Sequence, residues 1–119
     1  MRFDTVTRVH SRAFVIQALE EKLASAQEDG KSLCAVMADL DHFKEINDSH
    51  GHEIGDQLLT IAAKRLKTSL RSCDIIGRPG GDEFVALVPD VDDQVADRLA
   101  KRLTRTLEQP YNIGRQQLH

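Results

Sequence analysis

The 119-residue sequence predicts an α+β domain in which helices flank a mixed central sheet. Three observations lead there. Apolar residues recur at spacings of three and four in several separate stretches, as on one face of a helix. One continuous apolar run, "LCAVMAD", ends in acids. Two further short apolar runs are separated by little more than a Pro-Gly-Gly turn, which marks an antiparallel hairpin rather than a parallel crossover unit.

The first helix is expected from Ser11 to Glu28, with Phe14, Val15, Ala18, Leu19 and Leu23 on its apolar face, Ser11 as its cap and Gly30 as its stop. "LCAVMAD", Leu33 to Asp39, reads as a strand buried on both faces whose C-terminal end delivers Asp39 and Asp41. "FKEIND" follows as a short helical turn and "SHGHEIGD" as a loop. Leu58, Leu59, Ala62, Ala63, Leu66 and Leu70 then trace a longer amphipathic helix. Two strands are expected at about Cys73 to Arg78 and Glu83 to Val88, joined through Pro79, Gly80 and Gly81. Pro89 ends the second of them, and Asp92 or Asp93 caps a last helix running to about Leu107. "QPYNIGRQQLH" reads as a loop and the beginning of a further strand, an ending that leaves a sheet edge unpaired.

With 40% hydrophobic residues, a chain of this length can bury a core as one domain without disulfide or metal staples. Sixteen basic against 19 acidic side chains give a net charge of -3, so no global positive field draws in nucleic acid or an anionic membrane. Phosphate binding must therefore be local. Cys34 and Cys73 both fall in apolar runs and read as buried, reduced thiols of a cytoplasmic protein. No apolar run approaches the roughly 20 residues needed to span a bilayer, and "MRFDTVTRVH" lacks the apolar centre of a signal peptide. The segment itself is expected not to insert in a membrane, although it suits the cytosolic part of a membrane-anchored protein.

Chemistry concentrates in two acidic pairs. Asp39 and Asp41 stand two apart at a strand end, and Asp82 and Glu83 stand at the hairpin corner. If the hairpin pairs beside the first strand, the pairs converge, and carboxylates that close repel unless a hard divalent cation such as Mg²⁺ or Mn²⁺ lies between them. Gly80 and Gly81 leave side-chain-free backbone where phosphates can approach, and Phe43-Lys44 opens a helix with free amides and one ammonium. Metal, lysine and amides together describe a triphosphate site. Read from spacing alone, "DLD" better suits a strand-end turn and "PGGDE" a solvated hairpin tip. An EF-hand is excluded, because Phe43 occupies the third ligand position. Zinc at His50 and His52 would need cysteines that lie in predicted strands.

"DLDHFKEINDSHGHEIGDQLL" followed by "RSCDIIGRPGGDEF" resembles the GGDEF-domain family of diguanylate cyclases, and the resemblance begins at "FDTVTRVHSRAF" and runs to the last residue. It implies a fold like that of nucleotide cyclases and polymerase palms. It implies condensation of two GTP molecules to cyclic di-GMP with release of two pyrophosphates, each 3′-hydroxyl attacking the partner's α-phosphate across two facing GGDEF domains. By the family pattern Asp39 and Asp82 hold divalent ions, two Mg²⁺ or Mn²⁺ per GTP site, with Leu40 contributing its carbonyl. Asp82 is the proton acceptor, and Glu83 a further ligand or second base. Lys44 stabilises phosphates, Asn47 and Asp56 read guanine, and His52 lies near the nucleotide along with Phe43, Gly80 and Gly81. Arg71 and Asp74 form the R-x-x-D pair at which the family binds its product as an inhibitor. The resemblance also allows a sensor or EAL-type domain elsewhere in the parent chain. The alternative it leaves is a catalytically inactive module that binds GTP or cyclic di-GMP as a receptor.

Three departures from the family pattern stand out. Arg8 and Ser11 occupy positions where Gly and Asn are usual, and Pro79 stands where an aromatic or Leu is usual. Pro79 lacks an N–H, so the hairpin must not need a ladder bond there. The resemblance covers about the N-terminal two-thirds of the family domain, so its last strand and helix are expected to lie beyond residue 119.

Overall fold

A computed structural model describes residues 2–114 and 116–118. Ten elements run β1 (His10–Ser11), α1 (Arg12–Asp29), β2 (Leu33–Asp39), α2 (Phe43–His50), α3 (His52–Ser69), β3 (Ile75–Arg78), β4 (Glu83–Pro89), α4 (Asp93–Glu108), β5 (Tyr111–Ile113) and β6 (Gln116–Leu118). The main sheet has the order β1-β3-β4-β2. β4 is antiparallel to both neighbours and β1 is parallel to β3, so the sheet is mixed as expected. β5 and β6 form a separate two-stranded hairpin from the segment read as a loop opening a strand; Arg115 and His119 lie outside the described residues.

The alternating faces of the strands sort the core into two layers. Val36, Ile76, Phe84, Ala86 and Val88 pack with Leu59, Leu66, Leu99 and Leu103 of α3 and α4. Val85 and Leu87 pack on the other face with Val15 and Ala18 of α1. β4 is central and buried from Phe84 to Val88. The predicted caps close the helices: Ser11 accepts from the Phe14 N–H at 3.4 Å, Asp92 from the Val95 N–H at 2.8 Å, and Gly30 ends α1 in the left-handed region.

Four expectations need correction. β2 is an edge strand instead of one buried on both faces, with Ala35, Met37 and Asp39 exposed along one side; small and flexible apolar residues make a continuous run that periodicity cannot tell from a buried strand. Cys73 is exposed, because the Arg71–Asp74 turn, closed by the Asp74 N–H donating to the Arg71 carbonyl at 3.0 Å, delays β3 to Ile75. Cys34 is only half-buried. The loop expected over "SHGHEIGD" shrinks to a single residue: α2 continues to His50 and α3 begins at His52, with Gly51 at φ 91° turning the chain between them.

Ahead of β1, Arg8 sits at φ 63°, the left-handed conformation that glycine enters without steric cost. Its side chain is exposed, so little packing depends on it. Arg8→Gly is expected to stabilise the fold by about 1 kcal/mol, the relief of left-handed strain outweighing the added chain entropy. A rise in the urea midpoint with unchanged slope would be the sign of it.

Candidate active site

The acidic corner is built by strand register. Asp39 is the register partner of Glu83, and beyond the last pair the Leu40 N–H donates to the Asp82 carbonyl at 3.0 Å. Sequence positions more than 40 apart are thereby held at one end of the sheet. The β3–β4 ladder ends at Gly77 paired with Val85, two residues before Pro79, so the missing N–H costs no ladder bond. Gly80 and Gly81 do not adopt positive φ. Their value is space: a Cβ at Gly80 would stand 3.1 Å from the Glu83 carboxylate, and one at Gly81 would meet nothing within 4 Å, leaving that backbone open.

Arg78, which the sequence reading did not single out, fastens this turn. Its guanidinium donates to the Gly81 carbonyl at 2.9 and 3.2 Å and to the Asp4 carboxylate at 3.1 and 3.3 Å, tying the corner to the N-terminal segment. Burial pushes the Asp4 carboxyl up, but bonds from the Thr7 N–H and hydroxyl and from Arg78 outweigh it and hold the group below its usual value. Only the position of an arginine next to a turn could have signalled this role.

Beside the corner lies a cavity of about 510 Å³, walled by Asp39, Leu40 and Asp41 on one side and by Leu107, Glu108 and Tyr111 on the other. α2 leaves this wall with no side-chain cap on its first turn, so the amides there have no partner from the cap residue. The structure divides the remaining predicted residues between two helices. Lys44 is exposed on the first turn of α2, and Asn47 lies one turn later; His52 and Asp56 are exposed on the first turns of α3. Phe43 is buried in the core, so its ring faces the interior and only its backbone is available to a ligand.

Among the described residues no group of three or more His, Cys, Asp or Glu side chains could hold a metal ion. What the register brings together at the corner is the backbone of Asp39, Leu40, Asp82 and Glu83, residues whose oxygen donors are of the kind Mg²⁺ takes, with water and substrate phosphate oxygens completing its octahedron.

A second cavity, of about 370 Å³, lies at the opposite end of β3 and β4. Asp74 accepts from the Arg71 guanidinium at 3.0 and 3.4 Å and from its N–H at 2.8 Å, while the same guanidinium donates to the Pro89 carbonyl at 2.9 Å. The Asp74 side chain is 2% exposed and that of Arg71 52%, so Asp74 orients an arginine whose outer face is open. Arg98 and Arg102 of α4 line the same cavity, and neither was expected from the sequence. Their i, i+4 spacing was the available signal, but it acquires meaning only once α4 is packed beside the Arg71 turn.

Comparison with known proteins completes the picture. The family described as "Diguanylate cyclase, GGDEF domain" matches residues 1–119. The chain belongs to the GGDEF family. The response regulator PleD of Caulobacter vibrioides is 35% identical over 119 residues, 98% of this chain and 26% of the relative. The diguanylate cyclase DgcP of Pseudomonas aeruginosa is 41% identical over 100 residues, 84% of this chain and 15% of that protein. This GGDEF domain spans between 14% and 23% of the length of four of the curated relatives it matches. Its backbone superposes on a sensory box/GGDEF family protein from Caulobacter crescentus with a TM-score of 0.92 at 37% identity, covering 99% of this chain and 77% of that one. The GGDEF domain of DgcB from Caulobacter crescentus, solved in complex with c-di-GMP, matches with a TM-score of 0.82 at 28% identity over 86% of this chain and 60% of that one. No helix among the described residues is long and apolar enough to cross a membrane.

Proposed function

We propose that the protein is a diguanylate cyclase that joins two GTP molecules into cyclic di-GMP and releases two pyrophosphates. The observation that carries this reading is the register of β2 against β4, which holds Asp39, Leu40, Asp82 and Glu83 at one corner of the sheet. Each 3′-hydroxyl oxygen attacks the α-phosphorus of the facing GTP, the bond to the bridging oxygen breaks, and pyrophosphate leaves with its electron pair. Two such domains must face each other, since one corner carries one nucleotide.

Asp82, half-buried at the corner, accepts the proton of the attacking hydroxyl, and Glu83 beside it is the second carboxylate of the pair. Asp39, Asp82 and the Leu40 carbonyl would hold the divalent ions. Bound there, such ions neutralise phosphate charge and acidify the hydroxyl. The free amides opening α2 and the Lys44 ammonium bind phosphate oxygens, and the bare backbone of Gly80 and Gly81 lets them come close. Asn47, Asp56 and the nearby His52 receive the guanosine; a carboxylate such as Asp56 accepts from the N1–H and N2–H₂ edge of guanine. Incubating the full-length protein with GTP and Mg²⁺ and separating linear from cyclic dinucleotides tests the reading; a folded protein that yields neither would overturn it.

Arg71, oriented by Asp74 and flanked by Arg98 and Arg102, is the proposed product-binding site, an array suited to the phosphates of cyclic di-GMP. Arg71→Ala is expected to weaken cyclic di-GMP binding at least tenfold in calorimetry and to relieve inhibition by product. Equal affinity in both proteins would remove the site. A sensor or EAL-type domain in the same protein, acting from the cytoplasm, would set how often two GGDEF domains meet.

A further inference from the structure

Gly55 lies buried inside α3, where its φ is ordinary and its backbone does not require glycine. Glycine in a helix interior is worse than alanine by roughly 0.5–1 kcal/mol. What the position demands is space. A Cβ built on Gly55 would overlap Asn47 Oδ1 and stand 2.9 Å from its Cγ, and no atom outside the Asn47 side chain is among its three nearest neighbours. Asn47 Oδ1 in turn is buried without a hydrogen-bond partner. A buried acceptor left unpaired costs on the order of 1–3 kcal/mol. Two locally unfavourable choices, one on each helix, thus meet in a single contact, and such coincidences gather at functional sites.

We infer that Gly55 is a positioning residue for nucleotide binding, which holds the Asn47 carboxamide in one orientation. The amide is planar, so with its oxygen seated against Gly55 its Nδ2 is the amide atom set further back, 3.5 Å from a Cβ built there. Among the described residues Nδ2 makes no hydrogen bond, and it is not one of the buried orphan atoms, so its donors are available. The next residue, Asp56, is exposed and carries only acceptors at its carboxylate. Gly55 therefore fixes a donor on α2 against the turn of α3 that also carries the Asp56 acceptor. That pairing complements guanine, whose N1–H and N2–H₂ donate to a carboxylate while O6 or N3 accepts from an amide, and it rejects a base that reverses the pattern. The inference rests on the proposed GTP site and adds the residue that sets its polarity.

A double-mutant cycle in the full-length protein tests it, with Gly55→Ala, Asn47→Ala and the pair together. The dissociation constant for GTP is expected to rise about tenfold in each single variant, and the double variant should match Asn47→Ala within about twofold; KM should rise with kcat little changed. The same cycle on urea midpoints reads the contact without nucleotide. Gly55→Ala should lower the midpoint of the wild type but leave unchanged or raise it in the Asn47→Ala background, where only helix propensity remains. Losses in GTP affinity that multiply, or a Gly55→Ala effect on the midpoint that ignores the background, would overturn the inference while leaving the cyclase reading intact. A folded wild type that binds no GTP with Mg²⁺ overturns both.

Discussion

Asp82→Asn in the full-length protein is expected to lower cyclic di-GMP formation from GTP and Mg²⁺ by about 10³-fold or more. Asparagine keeps the size of the side chain but carries no negative charge toward a cation and accepts no proton from the attacking hydroxyl. The corner itself should survive, because the bond that builds it runs from the Leu40 N–H to the Asp82 carbonyl and is independent of the side chain. Unfolding free energies of the two proteins from urea titration should accordingly agree within about 0.5 kcal/mol, as for most changes at partly exposed positions. An unchanged fold with lost turnover assigns the defect to chemistry. Undiminished turnover would remove Asp82 from the proposed mechanism and leave the corner a hairpin tip with acidic decoration.

That the two acidic segments meet backbone to backbone was legible in the sequence because it follows from one topological step. Once the hairpin "IIGRPGGDEFVALV" pairs beside "LCAVMAD", antiparallel register brings Asp39 and Glu83 opposite each other. Helix caps were legible for a similar reason: Ser11 and Asp92 act on amides three residues away, within reach of a local rule. What escaped is non-local. β1 is two residues long, too short for periodicity to register, and exists only because β3 offers it an edge. β2 looked doubly buried because Ala35 and Met37 are apolar, yet burial depends on what covers them. Arg78, Arg98 and Arg102 are ordinary arginines in sequence; their partners lie at Asp4, Gly81 and the Arg71 turn, and only packing brings these together. Gly55 is the opposite case, a helix-breaking choice visible in the sequence whose reason, the Asn47 side chain, is not.

Phe84→Ala is expected to cost about 3–5 kcal/mol of stability, against a total of roughly 5–15 kcal/mol for a domain of this kind. Phe84 has no exposed surface, stands opposite Ala38 in the sheet, and packs into the layer formed with α3 and α4. Truncation at such a site loses the transfer free energy of the ring and leaves a cavity that neighbours on a central strand cannot close. Phe84→Leu, which keeps most of the volume, should cost about 1–1.5 kcal/mol. The difference between these variants separates packing from chemistry. If Phe84 serves the corner only by anchoring β4, the leucine variant should retain cyclase activity to within a few-fold below its melting temperature. The alanine variant should lose activity in step with its folded fraction. A truncation that costs less than about 1 kcal/mol would contradict the interior placement of the ring, since fully buried aromatic residues fall well above that value. A leucine variant that folds fully but is inactive would contradict the anchoring role instead. The two acids and the aromatic residue that follows them thus do separable work: Asp82 and Glu83 are held at the surface because Phe84, one pleat further along, is held in the core.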